Sequence, residues 1–520
     1  MADDDNAQEE TSDLFTALET WHEAHPDAGW SEIERGIEDQ LDQLRRQAWE
    51  RLTDAIEGNQ EKRACPGCGG GREARGQSER TLTLPGNEQL RLRRQYLVCQ
   101  LCGVGGFPVD EVLGLLPGGL SPGLQEVVVR LGARLPFAEV AEEISRLFRV
   151  SVSDSTTCRL TEQAGAMVMA SDAAEVERLE REQPEPPRGP AVQQLSADGA
   201  MVPLCHGQWA EVKTMAIGTV VSRPGQDGVA LTRTTDISYF SRLADHQTFS
   251  RLSLAELHRR GTERAEAVVA VMDGSEWLQK FIDLHRPDAV RILDFPHAVE
   301  HLAAAAQARF GPGSAAATAW LNRQASVLCH GDPDLVLSAL RDLPAGGMDS
   351  TAAQAAADAT LAYLTKRRRQ IAYATFQKKG YPIGSGMVES ANKLVVQARL
   401  KGSGMHWAGE HVNPLLSLRT NVCNGSWDIA WQQVVSGRRD DARARGERRR
   451  RLRHEAQAPA PADPRTAESA PPTAPTALPI SSKPRSKPSP KIVNGRPTPD
   501  HPWRRPLNQR QASPGSYARM

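Results

Sequence analysis

The chain contains no apolar run approaching the ~18 residues that a membrane span requires. Met1 to Asn6 is acidic where a secretory leader is expected to be basic and then apolar. These two features lead us to expect a cytoplasmic protein with no membrane partner. Cysteine is scarce: there are eight, and four of them (Cys158, Cys205, Cys329, Cys423) are scattered. That distribution suits a reducing compartment with one metal site better than a disulfide framework. Net charge is nearly absent at −1, so the overall balance says little about partners. Its distribution says more, because residues 1–60 hold 17 acidic and 4 basic side chains whereas residues 438–520 hold 19 basic and 7 acidic. The basic end is the one expected to face phosphate.

At 520 residues the chain can hold about three domains of ~150 residues. Apolar residues from Leu14 to Ile56 recur at helical spacing, interrupted at Pro26 and Gly29. We read residues 1–60 as an acidic helical region, either packed on a neighbouring domain or second copy or acting as a regulator. Cys65 and Cys68 form one tight pair and, after 30 intervening residues, Cys99 and Cys102 form another. The alternating stretch from Arg80 to Val98 reads as two strands around a Pro85-Gly86-Asn87 turn. Four thiolates on a hairpin predict a zinc ribbon over 61–108 with a structural, non-catalytic Zn2+, since four protein ligands leave no open position. A redox Cys-x-x-Cys is the competing reading.

Residues 109–182 read as helical. A helix from Leu135 to Phe148, a short turn, and a second helix capped by Ser153 or Asp154 resemble a helix-turn-helix, with plain helical packing as the alternative. A charged, proline-containing linker is expected near Arg178 to Pro190, and strands follow it. Val192 to Ala197 leads into Asp198-Gly199, Val212 to Val221 and Arg233 to Phe240 are extended, and His246 to Arg260 is helical. Then Val268 to Met272 leads into Asp273-Gly274, and Ala289 to Leu293 into Asp294. Three strands, a helix, a strand, a helix and a strand are the order of the RNase H-like fold, and their apolar character predicts a sheet covered on both faces. The expected organisation is multidomain α/β. A catalytic domain begins at 190–302, an all-helical insertion fills 303–380 with one long helical stretch over 350–379, and C-terminal helices occupy 381–436. Residues 437–520 are Arg-rich and then Pro/Ser/Ala-rich, and we expect them to be disordered. The arginines from Arg438 to Arg453 either neutralise phosphates without reading sequence or form a solvated tail.

An acid at the end of an apolar strand, followed by glycine, projects beyond the sheet edge. Asp198 and Asp273 both fit, although an Asp-Gly pair is also a common turn. On the first and fourth strands of such a sheet they would lie side by side and repel, which a divalent cation relieves. Glu389, in the first turn of a helix whose i+4 position is Lys393, is the candidate third ligand. Three such carboxylates holding Mg2+ or Mn2+ are suited to phosphodiester chemistry.

Several runs, taken in order, resemble the DDE transposases of Kra-type bacterial insertion sequences, within the broader Mutator-like group. They are Asp198-Gly199, Trp209 to Lys213, Val271 to Trp277, Ile292 to Leu302, Gly384 to Glu389, and Arg399 to Trp407. The resemblance covers roughly residues 60 to 435. It implies an RNase H-like catalytic domain with a helical insertion before the glutamate, preceded by a zinc ribbon and a helical DNA-binding region. It also implies two metal ions on Asp198, Asp273 and Glu389, and an enzyme that cleaves and joins DNA. The implied partners are double-stranded DNA, as terminal inverted repeats and as target, and further copies of the chain in a synaptic complex. Asp294 and His297 match the family's Asp-x-x-His element, so Asp294 competes with Asp273 as second acid; we favour Asp273. His297 orients a carboxylate, contacts DNA or is structural. Trp407 either stacks on an unpaired base or packs in the core. The alternatives to a transposase are an RNase H-like nuclease and a DNA-binding regulator.

Overall fold

The computed structural model describes residues 15–58, 64–224, 230–343, 350–457, 492–493 and 496–497. Helix α1 covers 15–24, and α2 (Trp30–Gly58) starts beyond Pro26 and Gly29, the two breakers in the sequence; Leu14 lies outside the described residues. The alternation of the cysteine-flanked segment becomes a hairpin of β1 (Arg72–Thr83) and β2 (Gln89–Cys99), with β3 (Gly105–Gly106) on the free side of β2. Leu82, Leu84, Leu90 and Leu92 bury one face of it. Helix α2 packs alongside, joined by the Arg46 fork on Glu88 at 2.6 Å.

Helices α3 (Pro108–Val112), α4 (Pro122–Gly132), α5 (Phe137–Phe148) and α6 (Asp154–Glu182) follow. Ser153 caps α6, its hydroxyl accepting from the Thr156 N–H at 3.2 Å. Because α6 runs to Glu182, the linker expected from Arg178 begins only after that residue; Arg178 pairs with Glu175 and Glu182 one turn either side and extends the helix.

The sheet then assembles. Strands β4 (Val192–Pro203), β5 (Trp209–Pro224) and β6 (Ala230–Leu243) form an antiparallel meander. After α7 (His246–Arg259), β7 (Ala267–Met272) pairs parallel with β4; after α8 (Glu276–His285), β8 (Val290–Leu293) pairs parallel with β7. The spatial order is β6-β5-β4-β7-β8, a mixed five-stranded sheet. Both faces are covered, as the apolar strands predict. Leu195, Met215, Val268 and Ala270 pack on Phe249 of α7 and on Leu278 and Phe281 of α8. On the other face, Val269, Val271 and Ile292 meet the helices after β8, and Ala200, Val202 and Val212 meet those nearer the C-terminus.

Helices α9 (Phe295–Phe310), α10 (Ala315–His330), α11 (Pro333–Arg341), α12 (Ser350–Lys366) and α13 (Tyr373–Lys378) make an all-helical layer after β8. The continuous helix expected over 350–379 is broken at Arg367. Its N–H bonds to the Leu364 carbonyl three residues back, and a 3-10 turn over Arg368–Gln370 redirects the chain. Helix α14 (Gly386–Ala391) passes into a π-helical stretch, Asn392–Gln397, then α15 (Ala398–Leu400), α16 (Gly409–Cys423) and α17 (Trp427–Gln457).

The run of α17 corrects the expectation of disorder beyond Gly437. Trp427, Ala430 and Val434 share a core with Val128 of α4, Ile144 of α5 and Ala164 of α6. Arg438 is buried beside them, donating to the Gln125 side chain and, at 3.0 Å, to the Pro117 carbonyl. At least one arginine of the basic cluster is therefore structural. The chain forms two compact units, Met1–Ala456 and Gln457–Met520. In the second the described residues are Gln457 and the antiparallel pair β9 (Ile492–Val493) and β10 (Arg496–Pro497); the rest of the expected Pro-rich tail lies outside the described residues. Among the described residues no helix is long and apolar enough to cross a membrane.

Removing Arg438 leaves the Gln125 carbonyl oxygen buried without its donor, a loss of about 1–3 kcal/mol. We therefore expect Arg438→Ala to lower the unfolding free energy by that order in a urea titration. Truncation after Gly437 is expected to do at least the same, and an unchanged denaturation midpoint in both would contradict the packing described for α17.

Candidate functional site

Two groups of side chains have the chemistry of a metal site. In the first, the two Cys-x-x-Cys turns are near copies of each other. Cys65 N–H donates to the Gly70 carbonyl and Cys99 N–H to the Val104 carbonyl, both at 2.9 Å. The Gly69 and Gly103 amides close back on the Cys65 and Cys99 carbonyls at 2.8 and 2.9 Å. The four sulfurs lie within 4.8 Å of one another, with Cys65 to Cys102 and Cys68 to Cys99 each 3.5 Å apart. A tetrahedral ion with Zn–S of about 2.3 Å needs S–S separations of about 3.8 Å, so the set accommodates Zn2+ with minor adjustment. At Cys65 and Cys99 backbone N–H groups favour the thiolate, while at Cys102, against the Val104 N–H, hydrogen bonding to the neighbouring sulfurs and burial push the thiol up to about 12. The Cys102 N–H is the largest influence holding Cys99 down to about 6, and that of Gly67 lowers Cys65.

The second group is acidic. The parallel β4–β7 pairing ends with Leu195 opposite Ala270, three places before Asp198 within β4 and three before Asp273 just past the end of β7, and the Asp273 charge acts on the Asp198 carboxyl. One place past the Met272–Leu293 pair, Asp294 stands level with Asp273 on the other side. The three aspartates thus share one sheet edge, and their environments separate them. Asp294 is buried and engaged by backbone: it caps α9 through the His297 N–H at 3.3 Å and accepts from the Ser385 N–H at 2.6 Å. Asp198 and Asp273 are half-buried. Asp198 accepts from the Gly199 N–H at 2.7 Å and the Asn392 side-chain amide at 2.9 Å, and Asp273 from the Ser275 N–H at 2.7 Å.

Asp294 also fixes where the third acid goes. Its bond to Ser385, together with Phe295 N–H on the Ile383 carbonyl at 3.0 Å and Gln194 on the Gly384 carbonyl at 3.1 Å, pins the loop that enters α14 to the ends of β4 and β8. Glu389, exposed in the first turn of α14, is thereby close enough for its charge to act on Asp198. The Asp198 carboxyl sits above the usual range chiefly through burial; the Gly199 N–H opposes this, while Asp273, Glu211 and Glu389 add to it.

Among the described residues, the cysteines are the only group of three or more His, Cys, Asp or Glu whose ligand atoms converge within 4.8 Å. The carboxylates stand wider apart than that. Their donor set, hard oxygens of uncompensated negative charge, fits a divalent cation such as Mg2+ or Mn2+, and closure on one requires the side chains to turn inward.

Of the other residues singled out in the sequence, Lys393 is exposed at the start of the π-helical stretch. His297 is half-buried beside Glu300, at 3.4 Å, and edge-on to His301. Trp407 belongs to the core: its indole N–H donates to the Leu400 carbonyl at 3.0 Å, and Arg399 lies over the ring at 5.1 Å. Sequence reasoning assigned no role to Glu211, Lys213, Asn392, Tyr363 or Arg367. Glu211 and Lys213 form an ion pair at 2.7 Å beside Asp198, and Gly199 leaves room for Glu211, since a Cβ there would meet its carboxylate at 2.1 Å. Their period of two along β5 was legible; their closeness to Asp198 depends on the β4–β5 register.

Two outcomes follow. The full-length protein should carry one equivalent of zinc by elemental analysis, and Cys99→Ser should weaken its retention against a chelator; a metal-free protein with an unchanged hairpin fold would oppose this. For Asp198, a folded-state pKa above the unfolded one means that stability falls as pH rises between the two. Asp198→Asn removes that penalty, so the melting temperature of chelator-treated protein should rise at neutral pH, and the gain should vanish below about pH 4, where the free carboxyl is protonated too. A variant that melts lower at both pH values would contradict it.

Comparison with protein-family models and with curated proteins gives no match.

Proposed function

We propose that the chain is a DDE-type transposase, a metal-dependent enzyme that cleaves DNA at the terminal inverted repeats of an insertion sequence and joins the freed end to target DNA. The observation that carries this reading is Asp198 in β4 with Asp273 just past the end of its parallel partner β7 and Glu389 beyond the pinned loop at 383–385, both acids close enough for their charges to act on Asp198. The mixed strand order, with the antiparallel meander on one side of β4 and the two parallel strands on the other, supports reading the domain as RNase H-like.

Mg2+ or Mn2+, when bound, would supply activation of a water or 3′-hydroxyl and stabilisation of the leaving oxygen in an in-line displacement. The chain's part is to present Asp198, Asp273 and Glu389 as oxygen ligands from two strands and one helix. Asn392 steadies Asp198 from the helix side. Asp294 keeps the entrance of α14 in place rather than serving as a ligand. The helix-turn-helix-like pair α5 and α6 exposes Arg146, Ser155 and Arg159, side chains suited to phosphate and base edges, and the zinc ribbon is its neighbour along the chain. Arg149 in the turn between them is held by Asp39 and Asp42 of α2, at 2.6 and 3.1 Å. Double-stranded DNA is the proposed partner, and more than one copy of the chain is expected to act in the joined complex.

Asp198→Asn, Asp273→Asn and Glu389→Gln should each abolish cleavage of a labelled inverted-repeat end in Mg2+ or Mn2+ while band-shift binding of that end persists. Loss of cleavage in Asp294→Asn with full cleavage in Asp273→Asn would reverse the assignment of the second acid. Cleavage without any joined product would leave a nuclease in place of a transposase.

A further inference from the structure

The turn that carries Asp273 has no strand beyond it, since β7 ends at Met272, and Gly274 adopts φ of +80°, a conformation that costs other residues free energy. It is held from outside the sheet. The Tyr363 hydroxyl of α12 donates to the Asp273 carbonyl, and Arg367 donates to the Gly274 carbonyl at 2.7 Å. The Arg367 guanidinium lies 3.7 Å from the centre of the Tyr363 ring, and His301 of α9 stacks on that ring at 3.9 Å. A Cβ at position 274 would meet Arg367 Nε at 2.5 Å and Tyr363 Oη at 3.0 Å, so the two side chains occupy the space that glycine leaves.

We propose that Tyr363 and Arg367 are positioning residues for the Asp273 carboxylate, through which the helical layer sets the divalent-cation affinity of the site; this rests on Asp198, Asp273 and Glu389 forming a cation site. The link is short. The Asp273 carboxylate accepts from the Ser275 N–H at 2.7 Å, so its direction follows the peptide planes at 273–275, and those planes are what Tyr363 and Arg367 grip. Without the grip the turn gains conformations in which the carboxylate points elsewhere, and binding an ion must first select the competent one. Both clamp residues lie some ninety positions beyond the aspartate in sequence and touch no ligand atom of the site.

The test is Mn2+ binding to the zinc-loaded full-length protein, followed by electron paramagnetic resonance, alongside the Mn2+ dependence of end cleavage. Tyr363→Phe keeps the ring stack and deletes one hydrogen bond, and should weaken Mn2+ affinity about fivefold with the melting temperature little changed. Arg367→Ala should do at least as much, and serves as the second variant if Tyr363→Phe fails to melt cooperatively. Arg368→Ala, one position on, breaks only the fork to Asp334 and should leave Mn2+ affinity as it was. Unchanged affinity in Tyr363→Phe and Arg367→Ala, or an equal loss in Arg368→Ala, would overturn the clamp. Asp273→Asn separates the two layers of the proposal: if it too keeps full Mn2+ affinity and cleavage, the cation site is wrong and the clamp falls with it.

Discussion

The parallel pairing of β4 with β7 is the constraint on which the acidic site depends. It brings Asp198 and the turn that carries Asp273 together in a sheet whose faces are closed by helices, where burial already disfavours the charge of Asp198. The surroundings then have to manage mutual repulsion. Backbone N–H groups of Gly199 and Ser275 and the amide of Asn392 each give a carboxylate one donor. None of these carries a positive charge. Lys213 is committed to Glu211, and Arg367 to the Gly274 carbonyl. Asp198 thus takes only neutral donors and feels three neighbouring acids, which is the physical reason the proposed reading puts a divalent ion there.

The third aspartate on the same edge shows how context separates identical side chains. Asp294 is one strand farther along, but it begins a helix, and a helix N-terminus with free N–H groups is a favourable place for a carboxylate. Its remaining capacity goes to the Ser385 N–H on the loop leading to Glu389. The sequence left Asp294 as a competitor to the favoured Asp273; the hydrogen bonds make Asp294 a tether between α9 and the loop before α14, while Asp273 is half-buried and accepts from Ser275.

Much of this was legible in the sequence, for identifiable reasons. The hairpin and the five strands announced themselves through period-two or wholly apolar runs bounded by turn residues, and the cysteine spacing placed four sulfurs before any geometry was known. What escaped was set by tertiary contact. The arginine-rich stretch after Gly437 has the composition of a disordered tail, yet α17 continues because Trp427, Ala430 and Val434 anchor its first turns and Arg438 finds buried partners. Alanine-rich helical propensity across 350–379 gave no sign of the break at Arg367, because its side chain is directed to a carbonyl more than ninety residues upstream. Trp407 offered base stacking or core packing, and its indole hydrogen bond to Leu400 places it in the core.

The π-helical stretch after α14 had no sequence signature either, and its consequence is local and specific. Glu389 and Asn392 are three positions apart, so an ordinary turn puts them on one face toward the strand ends. Through the wider winding from Asn392 to Gln397 the adjacent Val395 and Val396 are both buried against the sheet. Burial of that pair anchors the helix from below while its first turn stays at the sheet edge. Asn392, itself buried, donates to Asp198 with its own carbonyl oxygen left without a partner. A polar group held in that condition carries a cost of about 1–3 kcal/mol. The packing of Val395 and Val396 is what offsets it, and the result is a helix whose apolar face carries its stability and whose polar end addresses the carboxylates.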